Sequence, residues 1–174
     1  DAAIASNVNS LDELMNVKIG ALTIAGLIDE KLATIGEKIG VTKFERIDAP
    51  YVSSYIHGAY RIGVLVGMDK PAAEAGKDVA MQIAALNPVA VDAASVPADV
   101  IEREKSIVVE LMNQDPKMAG KPAEMIAKIA EGKMGAFFKE QTLTAQAFVK
   151  DASKSVGDYL KESGDVKVTS FKRV

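Results

Sequence analysis

The chain has 174 residues and a formal net charge of −3, because 21 Lys and Arg face 24 Asp and Glu. One His and no Cys exclude a disulfide scaffold, a thiolate zinc site, an iron–sulfur cluster and a multi-histidine metal site. The negative charge argues against a nucleic-acid surface, and no apolar run approaches the roughly 20 residues of a membrane span.

Helical spacing of apolar residues predicts five helices along the chain. They lie at 22–35, 72–86, 98–113, 122–138 and 153–162. Pro88 ends the second helix after Asn87, since the residue before a proline avoids the helical region. Pro122 stands at the first turn of the fourth helix, where proline is favoured, and Gly164 is a stop signal for the fifth. Residues 1–6 resemble the end of a further helix.

Alternating polar and apolar residues predict strands between these helices. The predicted strands are 41–47, 51–57, 61–68 and 166–174, with a short one at 146–149. The sequence Gly-Ala-Tyr at 58–60 predicts a turn that joins two of them into a hairpin.

An internal repeat organises the chain. Residues 41–47 (VTKFERI) match 168–174 (VTSFKRV), and 2–7 resemble 83–88. We therefore expect an α+β fold of two pseudo-repeated subdomains with antiparallel sheets and packed helices. Residues 1–50 are predicted to be a truncated N subdomain and 51–174 the C subdomain. On this interpretation the chain is a fragment whose first copy begins within a helix.

The second copy contains an insertion at about 98–138. Its two predicted helices are joined by 114–121 and carry apolar residues that can face each other. This pattern favours an antiparallel helical hairpin, a short coiled coil that protrudes and can meet a partner. A pair of ordinary core helices is the alternative.

No pattern of catalytic, metal-binding or cofactor-binding residues stands out. The glycines around 58–67 do not form a phosphate loop, since Val64 occupies the place of the required lysine. Glu102 and Glu104 are two residues apart and do not face each other on a helix. His57 has no nucleophile or Asp at a diagnostic spacing, so it is either a structural residue of the hairpin or part of a protein-binding edge, Tyr55-Ile56-His57.

Five segments, in order, resemble bacterial elongation factor Ts over about residues 36–174. The segments are 38–40 (KIG), 54–66 (SYIHGAYRIGVLV), 80–88 (AMQIAALNP), 126–134 (IAKIAEGKM) and 146–149 (QAFV). The resemblance implies two like subdomains and a coiled-coil projection. It also implies guanine-nucleotide exchange, in which the protein binds elongation factor Tu and promotes GDP release without enzyme chemistry or a cofactor of its own.

The resemblance also implies where the GTPase is contacted and where the protein acts. The expected partner-binding residues are Ile39, Gly40, Tyr55, Ile56, His57, Phe148, Val149 and Lys150, the last at a position where the family often has Met. The expected location is the bacterial cytoplasm or an organellar matrix. The family's T-D-F-V motif and N-terminal helical domain are not in this sequence. A protein-interaction or dimerisation module without exchange activity is therefore the alternative, and a homodimer stays open.

Overall fold

The computed structural model describes residues 1–118 and 120–174. Within these residues, helices and small antiparallel sheets alternate along the chain, which confirms the predicted α+β class. The chain divides into two compact units, Asp1–Arg46 with Val174, and Ile47–Arg173. The assignment of these parts to an N and a C subdomain stays a prediction.

The first unit combines helices with a pair of two-residue strands. It contains α1 (Ala2–Ala5), α2 (Leu11–Asn16), β1 (Lys18–Ile19), β2 (Leu22–Thr23) and α3 (Ile24–Ile35). Strands β1 and β2 pair antiparallel. Thr23 caps α3 by accepting from the backbone N–H of Gly26 at 3.1 Å, and Gly36 ends it with a φ of 76°. The cap places the start of the predicted 22–35 helix at Ile24.

The strand predicted at 41–47 is wrong, because residues 37–49 are in neither helix nor strand. A strand needs a neighbour that supplies a hydrogen-bonded ladder. Among the described residues of this unit, the strands are two residues long and pair with each other. Instead, the Arg46 guanidinium donates to the carbonyls of Asn7 and Val8 and to the Oδ1 of Asn9, at 2.9–3.3 Å.

The second unit is built on a three-stranded sheet. It begins with β3 (Tyr51–His57), β4 (Ile62–Met68) and α4 (Ala73–Leu86). Then come α5 (Ala98–Gln114), α6 (Ala123–Gln141), β5 (Ala147–Phe148), β6 (Asp151–Ser155), α7 (Val156–Glu162) and β7 (Val168–Arg173). The sheet order is β3-β4-β7 with both pairs antiparallel, so the predicted hairpin is confirmed, with Tyr51 opposite Met68 and His57 opposite Ile62.

The core of this unit lies between the sheet and α4. Fully buried side chains come from β4, from α4, from the segment that follows α6 and from the start of α7. They include Val66, Met68, Val79, Ile83, Leu143 and Val156. Burying an aliphatic side chain contributes roughly 1.5–3 kcal/mol, so this cluster is the main source of stability. It fixes α4, and α4 in turn carries two buried polar residues of the candidate site, Asp78 and Gln82.

Helices α5 and α6 form the inserted hairpin. They share a second apolar cluster, separate from the sheet core, around the buried Val108, Met112 and Met134. Ile101 near the start of α5 and Phe137 near the end of α6 belong to the same cluster, which fits antiparallel packing. No described helix is long and apolar enough to cross a membrane.

Candidate partner-binding site

The β3–β4 hairpin ends in an exposed polar pair. The Tyr55 hydroxyl and Nδ1 of His57 are 2.9 Å apart, and the two rings lie with centroids 5.8 Å apart. The residues are two apart on a strand, so both side chains are on one face of the sheet. In the tautomer with the proton on Nε2, the hydroxyl donates to Nδ1 and Nε2–H is the donor left for a partner.

The turn that follows is tightly built and exposed. Gly58, Ala59 and Tyr60 all have a positive φ, between 53° and 68°, and the N–H of Arg61 donates to the carbonyl of His57 at 3.1 Å. Positive φ is uncommon for residues other than glycine, so three consecutive positive φ values give this turn an unusual backbone conformation. The side chain of Tyr60 is 87% exposed, and Ile56 on β3 is 59% exposed. This end of the sheet therefore offers apolar and hydrogen-bonding groups to a partner.

A second exposed tip is the turn between β5 and β6. Phe148 pairs with Asp151, so Val149 and Lys150 form a two-residue turn. The side chain of Val149 is 49% exposed, whereas Phe148 is 4% exposed. The Phe148 ring stacks on Tyr159 of α7, with centroids 4.2 Å apart and an interplanar angle of 16°. Phe148 thus lies in the core beneath the turn, and Val149 is its exposed neighbour.

Gln82 of α4 holds this segment from below. Its side chain is fully buried, and its Oε1 accepts from the backbone N–H of Val149 at 2.8 Å. Its Nε2 donates to the carbonyl of Ala147 at 3.0 Å and to Oε1 of Gln146 at 3.2 Å. The amide therefore meets both a backbone donor and a backbone acceptor of one short segment, as a neighbouring strand does.

Asp78, one turn before Gln82 on the same helix, holds the other half of the turn. Its carboxylate is buried and accepts from Nζ of Lys150 at 2.5 Å and from the Tyr159 hydroxyl at 2.9 Å. Burial, and then the hydrogen bond to Asp78, raise the pKa of the Tyr159 hydroxyl above its ordinary value. Tyr159 therefore stays a donor at neutral pH, and the carboxylate keeps both partners.

Ile39 and Gly40 belong to the first unit, in the irregular segment after α3. Ile39 is 38% exposed and Gly40 is exposed. The structure thus places Tyr55 with His57, and Phe148 with Val149 and Lys150. The role of all these residues in partner binding stays a prediction.

Three residues of the site were not predicted from the sequence: Asp78, Gln82 and Tyr159. A signal existed for the first two, since they are four apart on a helix whose other buried residues are apolar or Gly. Polar residues at buried positions are held by hydrogen bonds, so this spacing indicates polar partners on another element. No sequence signal identified those partners as the segment 146–150.

These features define a class: an α+β domain with an inserted helical hairpin, whose candidate site is a set of exposed turns. The sequence model of the family described as Elongation factor TS matches residues 1–174. The chain belongs to the elongation factor Ts family.

Curated relatives support this assignment. The chain is 40% identical to Elongation factor Ts of Christiangramia forsetii over 99% of this chain and 63% of the relative. It is 42% identical to the protein of the same name from Hydrogenobaculum sp. over 92% of this chain and 56% of the relative. It is also 42% identical to that of Thermobifida fusca over 87% of this chain and 54% of the relative. The chain thus spans about 54–63% of the length of these relatives.

Proposed function

We propose that this chain binds elongation factor Tu and promotes release of GDP from it, as a guanine-nucleotide exchange factor of translation in the bacterial cytoplasm. Membership of the elongation factor Ts family is the observation that carries the proposal. The exposed turns of the second unit, with the side chains of Tyr60 and Val149, agree with a protein that acts by binding. The proposal involves no chemistry and no cofactor of the chain's own.

The physical basis of such exchange is linkage. When one protein weakens GDP binding to another, GDP weakens the binding of that protein by the same factor. The exchange factor therefore has to bind best to the conformation of the GTPase that holds GDP poorly. On this proposal, contacts from the His57 end of the sheet and from the Val149 turn supply the binding free energy that favours this conformation.

Release of a fluorescent GDP analogue from elongation factor Tu tests the proposal directly. The release rate is measured with increasing amounts of this chain, and with unlabelled GDP in excess to prevent rebinding. We expect acceleration that saturates with concentration. Binding to nucleotide-free elongation factor Tu without acceleration would instead indicate an interaction module. The absence of both binding and acceleration would overturn the proposal.

His57→Ala is expected to weaken binding to nucleotide-free elongation factor Tu by about 1–2 kcal/mol, because a central interface contact contributes this much. Tyr55→Phe keeps the ring and removes the hydroxyl 2.9 Å from Nδ1, so a smaller loss is expected. Titration calorimetry measures both. His57 is exposed, so thermal unfolding of His57→Ala should match the wild type. Unchanged affinity in both variants would remove this end of the sheet from the interface.

A further inference from the structure

We propose that Gln82 and Asp78 are positioning residues that hold the Val149–Lys150 turn in its binding shape, so that Val149 enters an apolar pocket of the partner. The inference rests on the proposed function. It assigns a role to two buried residues that lie outside the expected contact surface.

The hydrogen bonds of Gln82 carry the first step. The turn is the end of a ladder that contains only two residues of β5, and so short a ladder holds its end weakly. Gln82 adds an acceptor for the N–H of Val149 and a donor for the carbonyl of Ala147. Without the amide, both backbone groups lose the hydrogen bond that Gln82 makes to them at the edge of the core, and the turn is held less firmly.

The ion pair of Asp78 carries the second step. The ammonium of Lys150 is bound to a carboxylate on α4, although its side chain is half exposed. Asp78 itself is 5% exposed, and burying a carboxylate is costly unless it is paired and hydrogen-bonded, so the ammonium of Lys150 and the Tyr159 hydroxyl offset the cost of its burial. Lys150 thus serves as a tie within the chain, and Val149 is the apolar side chain that the turn presents.

Binding gains from such a fixed turn because no ordering has to occur on docking. A side chain already held in its bound conformation avoids the entropy cost of immobilisation. About half of Val149 is exposed. Its segment is held by three hydrogen bonds from Gln82, to the Val149 N–H, the Ala147 carbonyl and Oε1 of Gln146. A β-branched apolar group in this setting fits an apolar pocket on the partner.

The test compares Gln82→Met, which keeps the length of the side chain and removes its hydrogen bonds, with the wild type. Hydrogen exchange of the free protein reports the Val149 amide, and calorimetry reports affinity for nucleotide-free elongation factor Tu. Val149→Ala and the double variant are measured as well. Val66→Ala is the matched control, since it removes fully buried apolar atoms from β4 and no hydrogen bond to the turn.

We expect Gln82→Met to lower protection of the Val149 amide about tenfold and to weaken binding about tenfold. Val149→Ala should weaken binding less in the Gln82→Met protein than in the wild type. Val66→Ala should lower stability while affinity, measured well below its melting temperature, stays unchanged.

The outcomes separate the two proposals. If the wild type does not bind elongation factor Tu, the proposed function is wrong, and the role given to Gln82 falls with it. If the wild type binds and Gln82→Met binds equally well, the proposed function stands and the positioning role is wrong. Equal loss of affinity in Val66→Ala and Gln82→Met would also overturn it, because a general loss of stability would then explain both.

Discussion

Phe148→Ala is expected to lower the free energy of unfolding by about 3–5 kcal/mol, the usual cost of truncating a buried aromatic side chain. Phe148 is 4% exposed and stacks on Tyr159 at 4.2 Å, so its removal leaves a cavity between β5 and α7. It also removes the support beneath the Val149 turn. Denaturation in urea, followed by circular dichroism, measures the change.

Val149→Ala is the matched control, since it alters the next residue, whose side chain is half exposed. Its free energy of unfolding should stay within about 0.5 kcal/mol of the wild type, as for most surface substitutions. We expect the two residues to separate, with Phe148→Ala affecting mainly stability and Val149→Ala mainly affinity. A Phe148→Ala protein as stable as the wild type would contradict the burial of the ring.

The sequence predicted α3 to α7 and the β3–β4 hairpin because local signals mark most of their ends, whereas α2 (Leu11–Asn16) was not predicted. Asn87 ends α4 in a left-handed conformation, one residue before Pro88, and α5 and α6 begin directly after Pro97 and Pro122. Each of these residues lies at, or next to, the helix end that it marks. The structure therefore reproduces the predicted ends to within a few residues.

The predicted elements that failed depend on distant parts of the chain. Residues 41–47 have the alternation of a strand and no strand assignment, whereas the matching residues form β7 beside β4. The first residues of the predicted 153–162 helix belong to β6, and Ser155 is the cap of α7. A strand exists only with a partner, and the pairing partner cannot be read from a local pattern.

The candidate site shows the same division between local and distant information. The sequence placed Tyr55 and His57 on one strand, and the structure joins them by a hydrogen bond. It did not reveal that Phe148 is buried against Tyr159 of α7. Nor did it reveal that Lys150 pairs with Asp78, which lies 72 residues away along the chain. Such polar contacts follow from the packing of α4, which the sequence pattern does not specify.

Gly76→Ala is expected to destabilise the chain by about 2 kcal/mol, although alanine favours a helix by about 1 kcal/mol over glycine. An added Cβ at Gly76 would lie 2.5 Å from Cε of Met68 and 2.7 Å from Cβ of Ser53. Cε is the far end of the flexible but fully buried Met68 side chain, whereas Cβ of Ser53 is fixed to the backbone of β3 and cannot give way alone. Helix α4 would therefore have to move away from the sheet, and overpacking of this kind costs roughly 1–3 kcal/mol.

Gly132→Ala and Gly135→Ala in α6 are the matched controls, because an added Cβ at either position meets nothing within 4 Å. Both should raise the free energy of unfolding by about 0.5–1 kcal/mol through helix propensity alone. Urea denaturation of the three variants gives the comparison, and stabilisation by Gly76→Ala as well would contradict the close approach of α4 to β3. The same helix carries Asp78 and Gln82, so a displaced α4 also moves the groups that hold the Val149 turn. Gly76→Ala should therefore increase hydrogen exchange at the Val149 amide, whereas the two α6 variants should leave it unchanged.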